Sequence, residues 1–332
     1  MTPYSFLDLV PVVQGGTVAG ALASAADLAR HAEALGFTRY WVAEHHGMAG
    51  IASAATAVVV AHIAGATSTI RVGAGGIMLP NHAPLVIAEQ FGTLDALFPG
   101  RIDLGLGRAP GSDQRVAQAM RRTLTSDAND FPRDVMELQS YFADDGRTGI
   151  RATPGAGARP GMWILGSSTF GAQLAAALGL PFAFASHFAP DSLDTAMTIY
   201  RRDFRASATM ARPYAIAAMN VFAADTDAEG AFLASSQQQA FVALRTGTPG
   251  PLPPPVEGYR ESLGAQGAAM LDHVLQCSAV GSPTTVARGI AAFTARTGVD
   301  EVLVASAIFD QEARKRSLAI TAGLMGELAE AA

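Results

Sequence analysis

The stretch Ile70–Asp113, IRVGAGGIMLPNHAPLVIAEQFGTLDALFPGRIDLGLGRAPGSD, constrains this chain more than any other. Its pattern is strand, glycine-rich turn, helix, second strand and polar loop. That is a βαβ unit, which belongs in a parallel sheet. The first strand, Ile70–Gly73, opens into Ala74-Gly75-Gly76. Such a turn either brings backbone close to a ligand or takes a geometry that a Cβ would forbid. The second strand, Ile102–Leu106, ends at Gly107-Arg108, which sets a guanidinium where strand meets loop. In α/β barrels that end of the strand carries the site.

The alternation continues in both directions. Apolar runs at Ser5–Val10, Arg39–Ala43, Met162–Leu165, Phe182–Ala185, Tyr214–Ala223 and Glu301–Ala305 read as strands, with helical stretches between them. A helix is expected from Thr17, its N-cap, to Leu35, stopped by Gly36. Others fall at Ala54–Ala66, Leu85–Leu97, Ser112–Thr123, Pro132–Phe142, from Thr169 to Leu178, and at Gln311–Ala331, while Val280–Ala292 reads as a short turn and helix. Eight strands alternating with helices predict a (β/α)8 TIM barrel, one domain over residues 1–332. Asp8 interrupts its strand, and either reaches the barrel mouth or is solvated near the strand end.

Composition removes whole classes of function. A net charge of −6 gives no basic face for nucleic acid or an anionic membrane. No apolar run is long enough to span a bilayer, and the start MTPYSFLDLVP lacks a basic region followed by a long apolar one. The single cysteine, Cys277, leaves no internal disulfide and fits a reducing, cytoplasmic setting. The only lysine is Lys315, within a late helix, which argues against Schiff-base, pyridoxal and P-loop chemistry.

Three short patterns carry chemistry. Gly105 to Gly111 reads G-x-G-x-x-x-G with Pro110 inside it, so it is not a dinucleotide fingerprint. Arg108 itself suits phosphate oxygens. Gly166-Ser167-Ser168-Thr169 leads from a strand into a helix, so free amides, hydroxyls and the positive dipole end converge there as an anion site; the alternative is an ordinary Ser/Thr cap. Glu44-His45-His46 ends the second strand. Adjacent histidines on extended backbone point to opposite faces and would not chelate together, and no carboxylate–histidine set is evident among His45, His46, His82 and His187, so no metal is expected. His82, between two prolines, reads as a loop histidine. Thr246–Gly267 is proline-rich, which precludes a regular element; it is either a linker or, on a barrel rim, a lid that buries little.

YWVAEHH (Tyr40–His46), RVGAGGIMLPNHAPL (Arg71–Leu85) and PGRIDLGLGRAPGSD (Pro99–Asp113) resemble the bacterial luciferase-like, flavin-dependent monooxygenases. GSS (Gly166–Ser168), GLP (Gly179–Pro181) and VGSPTTVA (Val280–Ala287) extend the resemblance over most of the chain. The resemblance implies His45 as acid/base beside the flavin, and Arg108 and Arg133 against its phosphate, with Gly166, Ser167 and Ser168 at the same end. It implies a non-proline cis peptide at Gly75–Gly76, a flavin-facing or substrate-facing His187, and a mobile lid near Thr246–Gly267. It further implies reduced FMN as co-substrate with O2, a small organic substrate such as an aldehyde or ketone, a separate NAD(P)H-flavin reductase and a homodimer. The cysteine beside the flavin in luciferase itself is replaced by Gly107, which argues against light emission. An F420-dependent oxidoreductase of the same fold, or a flavin-binding protein without turnover, are the alternatives; a metal-dependent barrel hydrolase is less favoured.

Overall fold

The computed structural model describes residues 2–109, 116, 119, 120 and 130–330, the side chains of 327–330 excepted. Most of the helix expected over Ser112–Thr123, with Asp113, lies outside the described residues. Strands β1 (Tyr4–Asp8), β2 (Arg39–Val42), β3 (Arg71–Met78), β4 (Ile102–Gly107), β5 (Gly161–Gly166), β6 (Phe182–Phe184), β7 (Ala215–Ala223) and β9 (Glu301–Ala305) pair in parallel. They run in chain order, with β7 joined to β9 and β9 to β1. Pairing of β6 with β7 closes the ring. The fold is a TIM barrel.

Helices α1 (Val18–Ala34), α2 (Thr56–Ala66), α3 (Pro84–Leu97), α4 (Phe131–Ala143), α5 (Thr169–Leu178), α6 (Leu193–Asp203), α7 (Asp227–Arg245), α8 (Tyr259–Ser262), α9 (Gly264–Val274), α10 (Pro283–Thr297) and α11 (Gln311–Glu330) follow the strands. Thr17 caps α1 by accepting from the Gly20 amide, and Gly36 takes a positive φ just past its end, as the sequence predicts. Among the described residues no helix is long and apolar enough to cross a membrane.

Two strands depart from expectation. β3 runs through its glycines instead of turning at them, and its pairing with β4 shifts register between Ala74 and Ile77. A Cβ on Gly75 would lie 2.9 Å from the Trp41 ring, and one on Gly76 2.5 Å from the Gly105 carbonyl. These glycines therefore let β3 pack closely against its neighbours. The Gly75–Gly76 peptide is cis, as the resemblance implies. The second departure is β8 (Ser278–Gly281), which runs into the start of what reads as a turn and helix over Val280–Ala292. It pairs with the far half of β7, Asn220–Ala223, which extends beyond the half that pairs with β9.

The strands alternate between two apolar faces. Leu7, Trp41, Trp163, Ile216 and Leu303 fill the barrel interior, while Phe6, Tyr40, Val72, Leu104 and Val302 pack outward against the helices. Asp8 belongs to the outer layer, neither at the mouth nor solvated. It is fully buried, accepting from Arg314 Nη2 of α11 at 2.7 Å, the Tyr40 hydroxyl and the Val10 amide.

At the N-terminal end the barrel is plugged by charge. Arg39 donates to both oxygens of Glu301 at 2.8 and 2.9 Å and to Asp103 at 2.9 Å. Asp103 also accepts from Arg71 and from the Trp41 indole, and Glu301 from Tyr214 and Ser5. Burial alone would lower the Arg39 pKa, but the two carboxylates outweigh it and raise it.

The proline-rich segment is not a loose flap. Leu252 is only 4% exposed. Its amide donates to the Val12 carbonyl at 2.8 Å and its carbonyl accepts from the Gln14 amide at 2.8 Å. From α7, Ser235 accepts from the Val256 amide and Gln239 donates to the Pro254 carbonyl. Beyond Pro255 the prolines end, and α8 and the start of α9 form where no regular element was expected.

Removing one partner from a buried ion pair leaves an uncompensated charge, at about 3–5 kcal/mol. Arg39→Leu strands Glu301 and part of Asp103 and is expected to cost that much in chemical denaturation. A loss below about 1 kcal/mol would mean that the plug is solvated.

Candidate functional site

The C-terminal rim gathers most of the residues singled out in the sequence. Arg108 follows β4, and its guanidinium carbon lies 4.1 Å above the centre of the Phe170 ring. Phe170 is the second residue of α5, which follows the Gly166-Ser167-Ser168 turn. Stacking on this ring brings the arginine to the start of α5, so two features of the kind that suits an anion meet from separate strands. Ser168 is the N-cap residue, with extended backbone, yet its hydroxyl makes no capping bond. The ordinary-cap reading of this turn is therefore not what forms. Guanidinium, two hydroxyls and first-turn amides make a donor set that suits a phosphate dianion. Arg133 stands elsewhere in character: on the first turn of α4, 68% exposed, 3.2 Å from Asp130 and 3.7 Å from Asp134.

His45 and His187 lie just beyond β2 and β6, on opposite sides of the ring, and the charge of a protonated His45 disfavours protonation of His187. Burial first, and His45 second, lower the His187 pKa to about 4. His187 is therefore a neutral imidazole at physiological pH. Its Nδ1 is buried with no hydrogen-bond partner from the protein, an orphan that a bound ligand can satisfy. Its ring meets exposed Phe188 edge-on at 4.9 Å. The His187 carbonyl accepts from Asn220 Nδ2 at 2.7 Å, and Asn220 Oδ1 accepts from Gln237 Nε2 at 2.6 Å. Gln237 in turn accepts from the Ala307 amide. Through this chain of bonds α7 and the segment after β9 hold the loop that carries His187.

Gly75, at the mouth side of β3, is half-buried and Gly76 is buried; Gly75 is packed by Trp41 and Leu7, and Gly76 by Gly105 and Leu165.

Glu44 was passed over as a polar strand end, and the structure makes it a hub. The carboxylate is 1% exposed. Its Oε1 accepts from His46 Nε2 at 2.7 Å, His82 Nε2 at 2.9 Å and Asn81 Nδ2 at 3.4 Å, and its Oε2 from the Met78 amide at 3.0 Å. Burial would raise its pKa, but these donors, His82 foremost, lower it overall. His82 is thus no ordinary loop histidine, and a carboxylate–histidine set exists where none was evident.

The luciferase-like monooxygenase family model matches residues 6–301. A luciferase-like monooxygenase of Escherichia coli strain K12 is 49% identical over 326 residues, covering 98% of this chain and 97% of the relative. Apo-MsnO8 superposes with a TM-score of 0.88 at 34% identity, over 98% of this chain and 99% of that one. The chain belongs to the luciferase-like monooxygenase family, whose relatives are oxidoreductases. At lower identity the fold alone is shared. One such case is the oxygenating constituent of 3,6-diketocamphane monooxygenase from a Pseudomonas putida plasmid, in complex with FMN. It has a TM-score of 0.72 and 18% identity, over 97% of both chains. An F420-dependent secondary alcohol dehydrogenase gives 0.67 and 15%, over 97% of this chain and 98% of that one.

The His187 pKa has a thermodynamic consequence. It is lower in the folded chain than its ordinary 6.5, so the stability involved is full above pH 6.5 and is lost as pH falls towards about 4. That gap is worth roughly 3 kcal/mol. His187→Asn is expected to remove this part of the acid lability, so that the stability difference between wild type and variant changes by about that amount between neutral pH and pH 4. A pH-independent difference would mean that the ring is hydrated.

Proposed function

We propose that the chain is an FMN-dependent monooxygenase that takes reduced FMN and O2 and oxidises a small organic substrate such as an aldehyde or ketone. The observation that carries the reading is Arg108 stacked on Phe170 at the uncapped start of α5. Arg108, Ser167, Ser168 and the first amides of α5 would hold the phosphate. Arg133 would join them by exchanging Asp130 and Asp134 for it. Gly75, Gly76, Gly166 and His187 would border the rest of the cofactor, with His187 Nδ1 gaining the partner that it lacks. Reduced FMN, when bound, would supply the two electrons and the O2 activation by which one oxygen atom enters the substrate and the other leaves as water.

His45, at the β2 end, is the residue that moves a proton, since an imidazole exchanges one near neutral pH. His187, kept neutral by burial, positions by hydrogen bonding. The segment over 246–267 acts as a cover that excludes water while its Leu252 anchor stays in place. The reduced flavin comes from a separate reductase, and the enzyme works in the cytoplasm as a homodimer. Val58 on α2 and Val86 and Leu97 on α3 are exposed apolar side chains that a second copy would cover.

Oxygen uptake with photoreduced FMN across a panel of aldehydes, ketones, sulfonates and aromatics tests the reaction. Tight F420 binding without oxygen uptake would replace it. Arg108→Ala loses a charge-assisted contact worth about 2 kcal/mol, so FMN affinity should fall about 30-fold while riboflavin affinity is unchanged. Equal loss for both ligands would remove Arg108 from the phosphate. His45→Ala is expected to leave reduced FMN binding within a few-fold and to slow product formation by roughly 10²–10⁴. Unchanged turnover would pass the proton role to another group.

A further inference from the structure

Glu44, His46 and His82 each offer one ligand atom, and the three atoms lie within 4.8 Å of one another. We infer that these three side chains form a binding site for one divalent transition ion of the zinc, cobalt or iron(II) class. Two imidazole nitrogens and one carboxylate oxygen are the ligand types that such ions take, whereas calcium and magnesium prefer all-oxygen sets.

The spacing is close to what an ion needs. Bonds of about 2.0–2.2 Å to nitrogen and oxygen put neighbouring ligand atoms roughly 3 Å apart. Glu44 Oε1 already stands 2.7 Å from one nitrogen and 2.9 Å from the other. Both imidazoles turn their Nε2 towards the same oxygen, so one ion would replace two hydrogen bonds with the imidazole directions kept and the carboxylate oxygen drawn back to make room for it.

The set is also anchored and reachable. Glu44 is buried and its second oxygen is fixed by the Met78 amide at 3.0 Å, which is the kind of outer contact that orients a ligating carboxylate. The two histidine side chains remain 19% and 24% exposed, which leaves an approach for the ion and room for water in its remaining positions. The ligands come from the end of β2 and from the segment after β3, so the ion would staple two neighbouring loops of the rim. His45 is not one of the ligands. The inference therefore does not rest on the flavin reading, and it is tested without flavin.

The full-length chain, stripped with a chelator, is titrated with zinc by calorimetry and with cobalt(II) by visible absorption. One ion per chain with a Kd of about 1 μM or tighter is expected, with a cobalt ligand-field band and a higher melting temperature. His82→Asn and Glu44→Gln should each weaken binding by at least about 100-fold, beyond the 10–100-fold typical of losing an outer partner. His273→Ala removes an exposed histidine paired with Asp191 and should leave the affinity unchanged. Circular dichroism confirms that each variant is folded; if Glu44→Gln unfolds, His82→Asn and His46→Asn carry the test. Binding weaker than about 100 μM in the wild type, or affinity equal to wild type in the folded variants, overturns the inference.

Discussion

The barrel depends on the charge plug at its N-terminal end. Arg39, Arg71, Asp103 and Glu301 stand at or next to the first residues of β2, β3, β4 and β9. Each has an oppositely charged partner on a strand one or two places away in the ring. A barrel of parallel strands must close by fitting the last strand beside the first, and β9 pairs with both β1 and β7. Because Glu301 opens β9 and binds Arg39 through both oxygens, a one-residue slip of β9 would turn a buried carboxylate away from its arginine. Hydrophobic pattern alone protects register weakly here, since these strands are apolar on both faces. The plug supplies the specificity that the pattern lacks.

The opposite end is organised by a single buried carboxylate, that of Glu44. Glu44 ties the end of β2 to Met78, Asn81 and His82 beyond β3. His45 is its chain neighbour, so fixing Glu44 limits where the His45 backbone can go. Plug and hub thus divide the work of the barrel. One holds the strands in register with carboxylates that water cannot reach. The other holds the rim with a carboxylate whose histidine partners remain open to solvent.

Much of this was legible in the sequence, and the limits have physical causes. Alternation of strand and helix, the Thr17 cap and the Gly36 stop are local, and local patterns survive in a single sequence. Arg108 and the Ser167-Ser168 turn were readable because residue type and position at a strand end already imply an anion site. The stacking on Phe170 that joins them was not, as it needs the packing of α5. The plug was missed because its partners are 64 and 262 residues apart. A signal did exist: a charged residue recurs at the start of strands that are otherwise apolar. Glu44 was overlooked for the same reason, since His82 lies 38 residues away. The glycines of β3 were read as a turn because glycine permits both turns and close strand contact, and sequence does not separate the two. The low burial expected for Thr246–Gly267 failed at one residue, Leu252.

That one residue ties the proline-rich segment to the segment after β1. The segment after β1 bridges to the segment after β2 through Pro11 and Ile51, and to the proline-rich segment through Val13 and Leu252. Gly50 and the carbonyl of Gly250 approach so closely that a side chain at Gly50 would not fit. Three loops are therefore laced together over the β1–β2 side of the rim. The β4–β5 side has instead the small residues Gly166, Ser167 and Ser168 beside Arg108. Past the ends of β2 and β6, on opposite sides of the ring, stand His45 and His187. The backbone bonds at Val12 and Gln14 thus join the proline-rich segment to the rest of the rim.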